Sequence, residues 1–156
     1  MSKSLTRVKK ALQAAGTPID ILEMGASTRT AAEAAAAAGC AIDQIAKSII
    51  FRGDDSGHLL LFLTAGGNRV DSGKASAVAG QPLGKADAAL IRAETGFAIG
   101  GVAPLGHLTP VTAYFDPRLL TFDRVWAAAG TPRHIFAIAP ARLLEITNAQ
   151  VADFTL

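Results

Sequence analysis

Much of what usually betrays a protein's chemistry is missing from this chain. Cys40 is the only cysteine among 156 residues. It can form no intramolecular disulfide and no multi-cysteine zinc site, which agrees with a reducing, cytoplasmic setting. Charge excess is small too: fifteen lysines and arginines against thirteen carboxylates leave +2. That excludes a polycation coating nucleic acid by charge alone, so any such contact must be local. No apolar run approaches the about 20 residues of a membrane span, and the N-terminus lacks the apolar core of a signal peptide. No membrane partner is expected. The alanine run Ala34 to Ala38 is too short to change this.

The familiar catalytic signatures are also absent. There is no G-x-S-x-G elbow, no Walker loop and no H-E-x-x-H segment, and Gly100-Gly101 fails the G-x-G-x-x-G spacing of a dinucleotide fingerprint. His58, His107 and His134 are too scattered to argue a metal site, so neither metal nor cofactor is expected. Aromatic residues make up only 6% of the chain. Trp126 and the seven phenylalanines form no stacking motif for single-stranded RNA and read as core.

What stands out is Gly100-Gly101-Val102-Ala103-Pro104-Leu105-Gly106-His107. Glycine permits backbone conformations and close approaches that a Cβ forbids, while Pro104 fixes its own φ and restrains Ala103. Such a loop is unusual in shape and stiff. Accessible N–H groups on it would suit an anion or a polarised carbonyl.

Around the loop, helices and strands mix without a strict βαβ rhythm, which predicts an α+β fold and a single domain over residues 1–156. Leu5, Val8, Leu12 and Ala15 recur at helical spacing from about Ser4 to Ala15, stopped by Gly16 and Pro18. Ile19, Ile21 and Met24 suggest a short strand before a Gly25-Ala26-Ser27 turn. Thr30 and Glu33 have capping-box spacing, and Gly39 sits where a C-terminal cap belongs, which predicts a helix over 31–38. Lys47 to Arg52 and Leu59 to Leu63 flank Asp54-Asp55-Ser56-Gly57 as a hairpin. Helical patches follow near 74–78 and 86–94. Strands come next near 111–115 and 134–138, with irregular chain through Asp116-Pro117 between them, and a last helix spans 140–146.

Two features could carry charge-based chemistry, and the residues alone leave both open. Lys47 shares a strand face with Ile49 and Phe51, so it either snorkels to water or meets an anion at the mouth of an apolar strand. Lys3, Arg7 and Lys10 share one face of the first helix, in an N-terminal decade that also holds Lys9. That face is either simply solvated or a phosphate contact.

The order of four motifs adds information: Ser27-Thr28-Arg29-Thr30-Ala31, then Gln44 to Phe51, then Gly67-Asn68-Arg69-Val70-Asp71, then Thr95 to Gly106. Together they resemble the YbaK/ProX family of aminoacyl-tRNA editing domains, also found inserted in bacterial prolyl-tRNA synthetases. The resemblance implies a mixed β-sheet, curved toward a barrel and surrounded by helices. It also implies a metal-free hydrolase acting on the ester of a mischarged tRNA, with alanine on tRNA of proline identity as the first candidate. The family lysine matches Lys47, near the acceptor end of the tRNA. The family G-x-x-x-P loop matches Gly100 to Pro104, which makes Gly100 and Gly101 catalytic and Val102, Ala103 and Pro104 substrate-binding. His134 falls where related domains place a polar pocket residue. Lys3, Arg7 and Lys10 would then bind tRNA, and prolyl-tRNA synthetase is a further candidate partner. The alternative is a non-catalytic RNA-binding or regulatory module, or a synthetase-associated protein, of the same fold.

Overall fold

The computed structural model describes residues 2–25 and 30–156. The Ala26-Ser27 part of the predicted turn and the Ser27-Thr28-Arg29 part of the first motif lie outside the described residues. In chain order the elements are α1 (Lys3–Ala14), β1 (Ile21–Glu23), α2 (Ala31–Ala38), β2 (Ile45–Gly53), β3 (Leu59–Ala65), α3 (Ser72–Ala79) and β4 (Leu83–Lys85). There follow α4 (Ala88–Thr95), β5 (Thr112–Phe115), β6 (Val125–Ala128), β7 (His134–Ile138), α5 (Pro140–Thr147) and β8 (Gln150–Val151). Tight 3-10 turns occupy Ile42–Gln44 and Pro117–Thr121. None of the described helices is long and apolar enough to cross a membrane.

Local chemistry explains most boundaries. Ser2 caps α1 by accepting from the N–H groups of Ser4 and Leu5, and the helix buries Leu5, Val8 and Leu12. Thr30 caps α2 through the Glu33 N–H, and Gly39 ends it in the left-handed conformation at φ 69°. The stretch read as irregular chain after β5 is the second 3-10 turn, started by Asp116, whose carboxylate accepts from the Arg118 N–H.

The expected mixed sheet is present, with eight strands in the order β1-β7-β6-β2-β3-β5-β8 and β4 attached to β2. It stays open, since β1 and β8 are its ends and do not pair with each other, so the curve toward a barrel does not reach closure. β3 is buried along its whole length. Its Leu59, Leu61 and Leu63 join Val8, Leu12, Phe97, Phe115, Phe136 and Leu143 in the main core. On the opposite face Leu60 and Phe62 pack with Tyr114 and Phe154. Each such fully buried side chain contributes about 1.5–3 kcal/mol. A smaller cluster of Met24, Ala34, Ala35, Ile45, Trp126 and Ile135 seats α2 on the sheet.

One topological detail positions everything that follows. β3 lines one edge of β2 from Ala46 to Arg52. The other edge changes neighbour: parallel β6 holds Ile45 and Ala46, and antiparallel β4 holds Phe51, Arg52 and Gly53. Between them, over residues 47–50, no described strand pairs with that edge. The sheet is split beside its central strand.

Candidate functional site

The glycine-rich loop enters this split. Thr95 closes α4 by donating its hydroxyl to the Ile91 carbonyl at 2.6 Å and accepting from the Phe97 N–H at 3.0 Å. Phe97 is fully buried and anchors what comes next. The chain then turns tightly, with the Gly101 N–H donating to the Ala98 carbonyl at 3.1 Å and Gly100 at φ 93°. A positive φ at the third position of such a turn calls for glycine. Beyond it Val102, Ala103 and Leu105 are buried.

Two side chains hold the buried limb by its carbonyls. Ser48 donates its hydroxyl to the Val102 carbonyl at 2.9 Å, and His107 Nε2 donates to the Ala103 carbonyl at 2.7 Å. His107 also meets Phe97 edge to face. Burial holds the His107 pKa below its ordinary value, and the Ala103 carbonyl offsets this in part. Gly101 meets another backbone: a Cβ there would sit 2.8 Å from Thr131 Cα. The loop's stiffness therefore has four identifiable sources, in Ser48, His107, Phe97 and the Thr131 backbone.

Two cavities meet at the loop. The smaller, of about 100 Å³, is walled by Gly100, Thr131 and His134 on one side and by Ala31 and Ala34 of α2 on the other, with Ala127 and Ala128 of β6 between. His134 is held there by Thr131, Nδ1 to Oγ1 2.6 Å, and its Nε2 lies 4.0 Å from Glu23 Oε2. The larger, of about 410 Å³, fills the split itself, with Ser48, Ile50, Ile91, Ile99 and Val102 in its wall. Gly100 and Ala128 belong to both.

Lys47 neither snorkels to water nor lines either cavity. Its ammonium donates to the carbonyls of Gly66 at 3.1 Å and Asn68 at 2.6 Å, in the turn that carries the third motif. Burial lowers its pKa first and the Arg69 charge lowers it further, against the opposing pull of Asp43 and Asp116. Both acids also shape the turn: Asp43 accepts from the Gly67 N–H, and buried Asp116 accepts from the Ala65 N–H and the Asn68 amide. Gly66 packs so closely on Ala31 that a Cβ would lie 2.9 Å from the Ala31 Cβ. Lys47 is thus one contact removed from the small cavity.

The other expected site residues separate. Gly100 and His134 share the small cavity, and Gly100 and Val102 share the split. Ala103 lines neither, and Pro104 faces a different groove, of about 580 Å³, bounded by β5 and the end of α5. Lys3 and Lys10 are exposed on α1. Arg7 is not simply solvated: its guanidinium donates to the Thr95 carbonyl at 3.4 Å and lies over the Phe97 ring. Sequence reasoning gave no role to Ser48, Thr131, Ile99, Asp43 or Asp116. Only Ser48 left a signal, as the neighbour of Lys47 that a strand must turn to the opposite face. Among the described residues no three His, Cys, Asp or Glu side chains gather into a metal-binding group.

Comparison with known proteins bears on this geometry. The model of a family described as aminoacyl-tRNA editing domain matches residues 26–146. The uncharacterized protein YwhH of Bacillus subtilis (strain 168) is 30% identical over 132 residues, which span 85% of this chain and 83% of that protein. Among solved structures, a candidate trans-editing enzyme for prolyl tRNA synthetase superposes with a TM-score of 0.93 at 49% identity, over 100% of this chain and 99% of that one. The hypothetical protein APE2540 superposes with a TM-score of 0.87 at 29% identity, over 96% and 99% of the two chains.

Proposed function

Because the chain belongs to the aminoacyl-tRNA editing domain family, we propose that it is a hydrolase that strips the amino acid from mischarged tRNA in trans, with alanine on tRNA of proline identity as its first substrate. Residues 1–156 act as one domain. The observation that carries the reading is the small cavity, about 100 Å³ between Gly100, His134 and the alanines of α2. Its small volume and alanine walls suit a small aminoacyl side chain. One methylene in an apolar pocket is worth about 1–3 kcal/mol, so alanine would be preferred over its larger neighbours without absolute exclusion. Proline identity is supported by the relative described as a candidate trans-editing enzyme for prolyl tRNA synthetase.

The chemistry needs little machinery, because an aminoacyl ester is already activated. A placed water, a fixed carbonyl and stabilisation of the oxyanion suffice. Water adds to the ester carbonyl, the N–H groups of Gly100 and Val102 receive the negative oxygen, and collapse breaks the bond to the ribose oxygen, which takes the proton given up by the water and leaves as a hydroxyl while the amino acid departs with its carboxyl group. The neighbouring ribose hydroxyl orients the water. The Gly101 N–H is engaged by the Ala98 carbonyl, so Gly101 serves by letting the loop lie against Thr131. Val102 and Ala103 are held as loop backbone, and Pro104 stiffens it from the far side. His134 bounds the aminoacyl group. An ammonium has three N–H donors, of which Lys47 commits two to Gly66 and Asn68; the third is directed to the ribose or phosphate end. Lys3 and Lys10 meet the acceptor stem, and cytoplasmic translation is the setting.

The test is a panel of aminoacyl-tRNAs at low protein concentration. Release of alanine from alanyl-tRNA of proline identity, with prolyl-tRNA spared, supports the reading. Binding without release from any member would sink it and favour a non-catalytic RNA-binding module.

A further inference from the structure

The groove bounded by β5 and the end of α5, at about 580 Å³, is larger than either cavity that meets at Gly100, and the proposed reaction leaves it unused. Its floor is the start of β5. The Asp116 N–H donates to the Leu63 carbonyl on β3 at 2.9 Å, while the Phe115 carbonyl accepts from the Ala152 N–H on the other edge at 3.2 Å. Successive residues of a strand turn their main-chain groups to opposite edges, so those of Ala113, and of Val111 just before the strand, share the edge of Phe115. β8 pairs with that edge only at Tyr114 and Phe115. Upstream of it the Ala113 N–H and both main-chain groups of Val111 meet no described partner, although Ala113 is only 6% exposed. Buried main-chain groups of this kind require one.

In a parallel ladder a single residue of the next strand would answer them, giving its N–H to the Val111 carbonyl and its C=O to the Ala113 N–H. The chain does not supply that residue, because Asn148 turns away in the left-handed conformation, φ 53°, two places before Gln150. A free α-amino acid carries the same pair on one carbon, an ammonium donor and a carboxylate acceptor. The walls narrow the choice further. No Lys, Arg, Asp or Glu lines the groove, so nothing there selects a ligand of net charge. Leu105, Leu108 and Ile146 are apolar, and Leu108 stands 62% exposed. His107 spends Nε2 on the Ala103 carbonyl, which leaves Nδ1 as an acceptor with no described partner.

We infer that this groove binds a free aliphatic α-amino acid, with its ammonium on the Val111 carbonyl, its carboxylate on the Ala113 N–H and its side chain against Leu108 and Ile146. A second ammonium proton goes to His107 Nδ1, and because the same ring holds the Ala103 carbonyl, the glycine-rich loop senses occupancy. The site does not rest on the proposed deacylation, and its test needs no turnover. Backbone amide spectra of the full chain are recorded during titration with L-leucine and with three relatives. Leucine methyl ester lacks the carboxylate, N-acetyl-leucine lacks the ammonium, and N-acetyl-leucinamide lacks both. Leucine should shift Val111, Ala113, His107 and Ala103, and each relative should bind about tenfold more weakly. Leu108→Ala, at an exposed position, should weaken leucine about fivefold with the fold intact. Equal binding of any relative overturns the amino acid site, N-acetyl-leucinamide by making the edge a slot for an extended peptide. Shifts confined to Gly100 and His134, which would put leucine in the small cavity, overturn it too, as does an absence of leucine binding, even where deacylation is normal. Leucine shifts in the groove with no ester hydrolysed would keep the site and discard the editing activity.

Discussion

Ser48 Oγ and the Val102 carbonyl oxygen lie 2.9 Å apart, and this hydrogen bond ties the central strand to the glycine-rich loop. Without it the buried limb keeps only the His107 brace and its apolar contacts. Ser48→Ala should cost about 0.5–1.5 kcal/mol in urea denaturation. It should also lower kcat for deacylation and narrow the preference for alanyl over 2-aminobutyryl ester. Unchanged selectivity would mean that the loop holds its shape unaided.

Gly100 and Gly101 should respond differently to alanine. At Gly101 a Cβ would run into the Thr131 backbone at 2.8 Å, which cannot yield as a side chain would. Displacement of the loop should cost about 1–3 kcal/mol and, through misplacement of its donors, about a hundredfold in kcat. Gly100 has room, its nearest neighbour being Pro132 Cγ at 3.9 Å, but its φ of 93° strains any larger residue. Gly100→Ala should be destabilised by about 1–2 kcal/mol while losing less turnover than Gly101→Ala. The reverse order of turnover would locate the critical contact elsewhere.

Lys47 pairs a structural task with the proposed substrate contact. Lys47→Met strips the Gly66 and Asn68 carbonyls of their donor and should lower stability by about 1–3 kcal/mol. It should also abolish measurable deacylation of every ester that the wild type cleaves. Lys47→Arg should recover part of the melting temperature and little of the activity, because a planar guanidinium cannot reproduce the ammonium's geometry. Full activity in Lys47→Met would remove the lysine from the mechanism.

His107 makes the loop sensitive to acid. Its folded pKa lies below the ordinary 6.5, so the unfolded chain takes up this proton more readily than the folded protein. Its contribution is complete above that ordinary value and is lost as pH falls through the lower folded one. Stability should therefore decline as pH falls below the ordinary 6.5 and through the lower folded pKa, and His107→Gln should flatten that decline. Parallel pH profiles in denaturant titrations would exclude the imidazole as the source.

The basic face of α1 divides into two roles. Neutralising exposed Lys3 and Lys10 should weaken tRNA binding and reduce the slope of log affinity against log salt by about 1 for each phosphate no longer neutralised. Arg7→Gln should act on stability, since Arg7 caps the end of α4 and covers Phe97. An unaltered salt slope in the lysine variants would return that face to plain solvation.

Several of these relations were legible in the residues and others were not. α2 could be bounded from Thr30, Glu33 and Gly39 because capping is local chemistry. The 47–63 hairpin followed from two apolar runs and a turn. The face shared by Lys47, Ile49 and Phe51 was readable from period two, but its carbonyl partners belong to a turn set by Asp43 and Asp116, distant in sequence. β6 escaped notice because Val125–Ala128 is only four residues long, with a parallel partner some eighty positions away. β4, with three residues, gives even less pattern. The split depends on these two short strands sharing one edge of β2, so it is a property of topology that no window along the chain contains. Arg7 shows a related limit: helical spacing fixes its face, while its contacts Thr95 and Phe97 arrive from elsewhere in the chain.

The divided edge of β2 has a consequence for how the backbone breathes. Amides of Ile49 and Phe51 are locked onto β3, whereas those of Ser48 and Ile50 open into the cleft. In deuterium the strand should exchange in a two-beat rhythm, slow and fast by turns, at a depth where other sheets are uniformly protected. A molecule seating in the split would silence the fast beats alone, so occupancy of the site could be heard in the main chain itself, residue by residue, without a label.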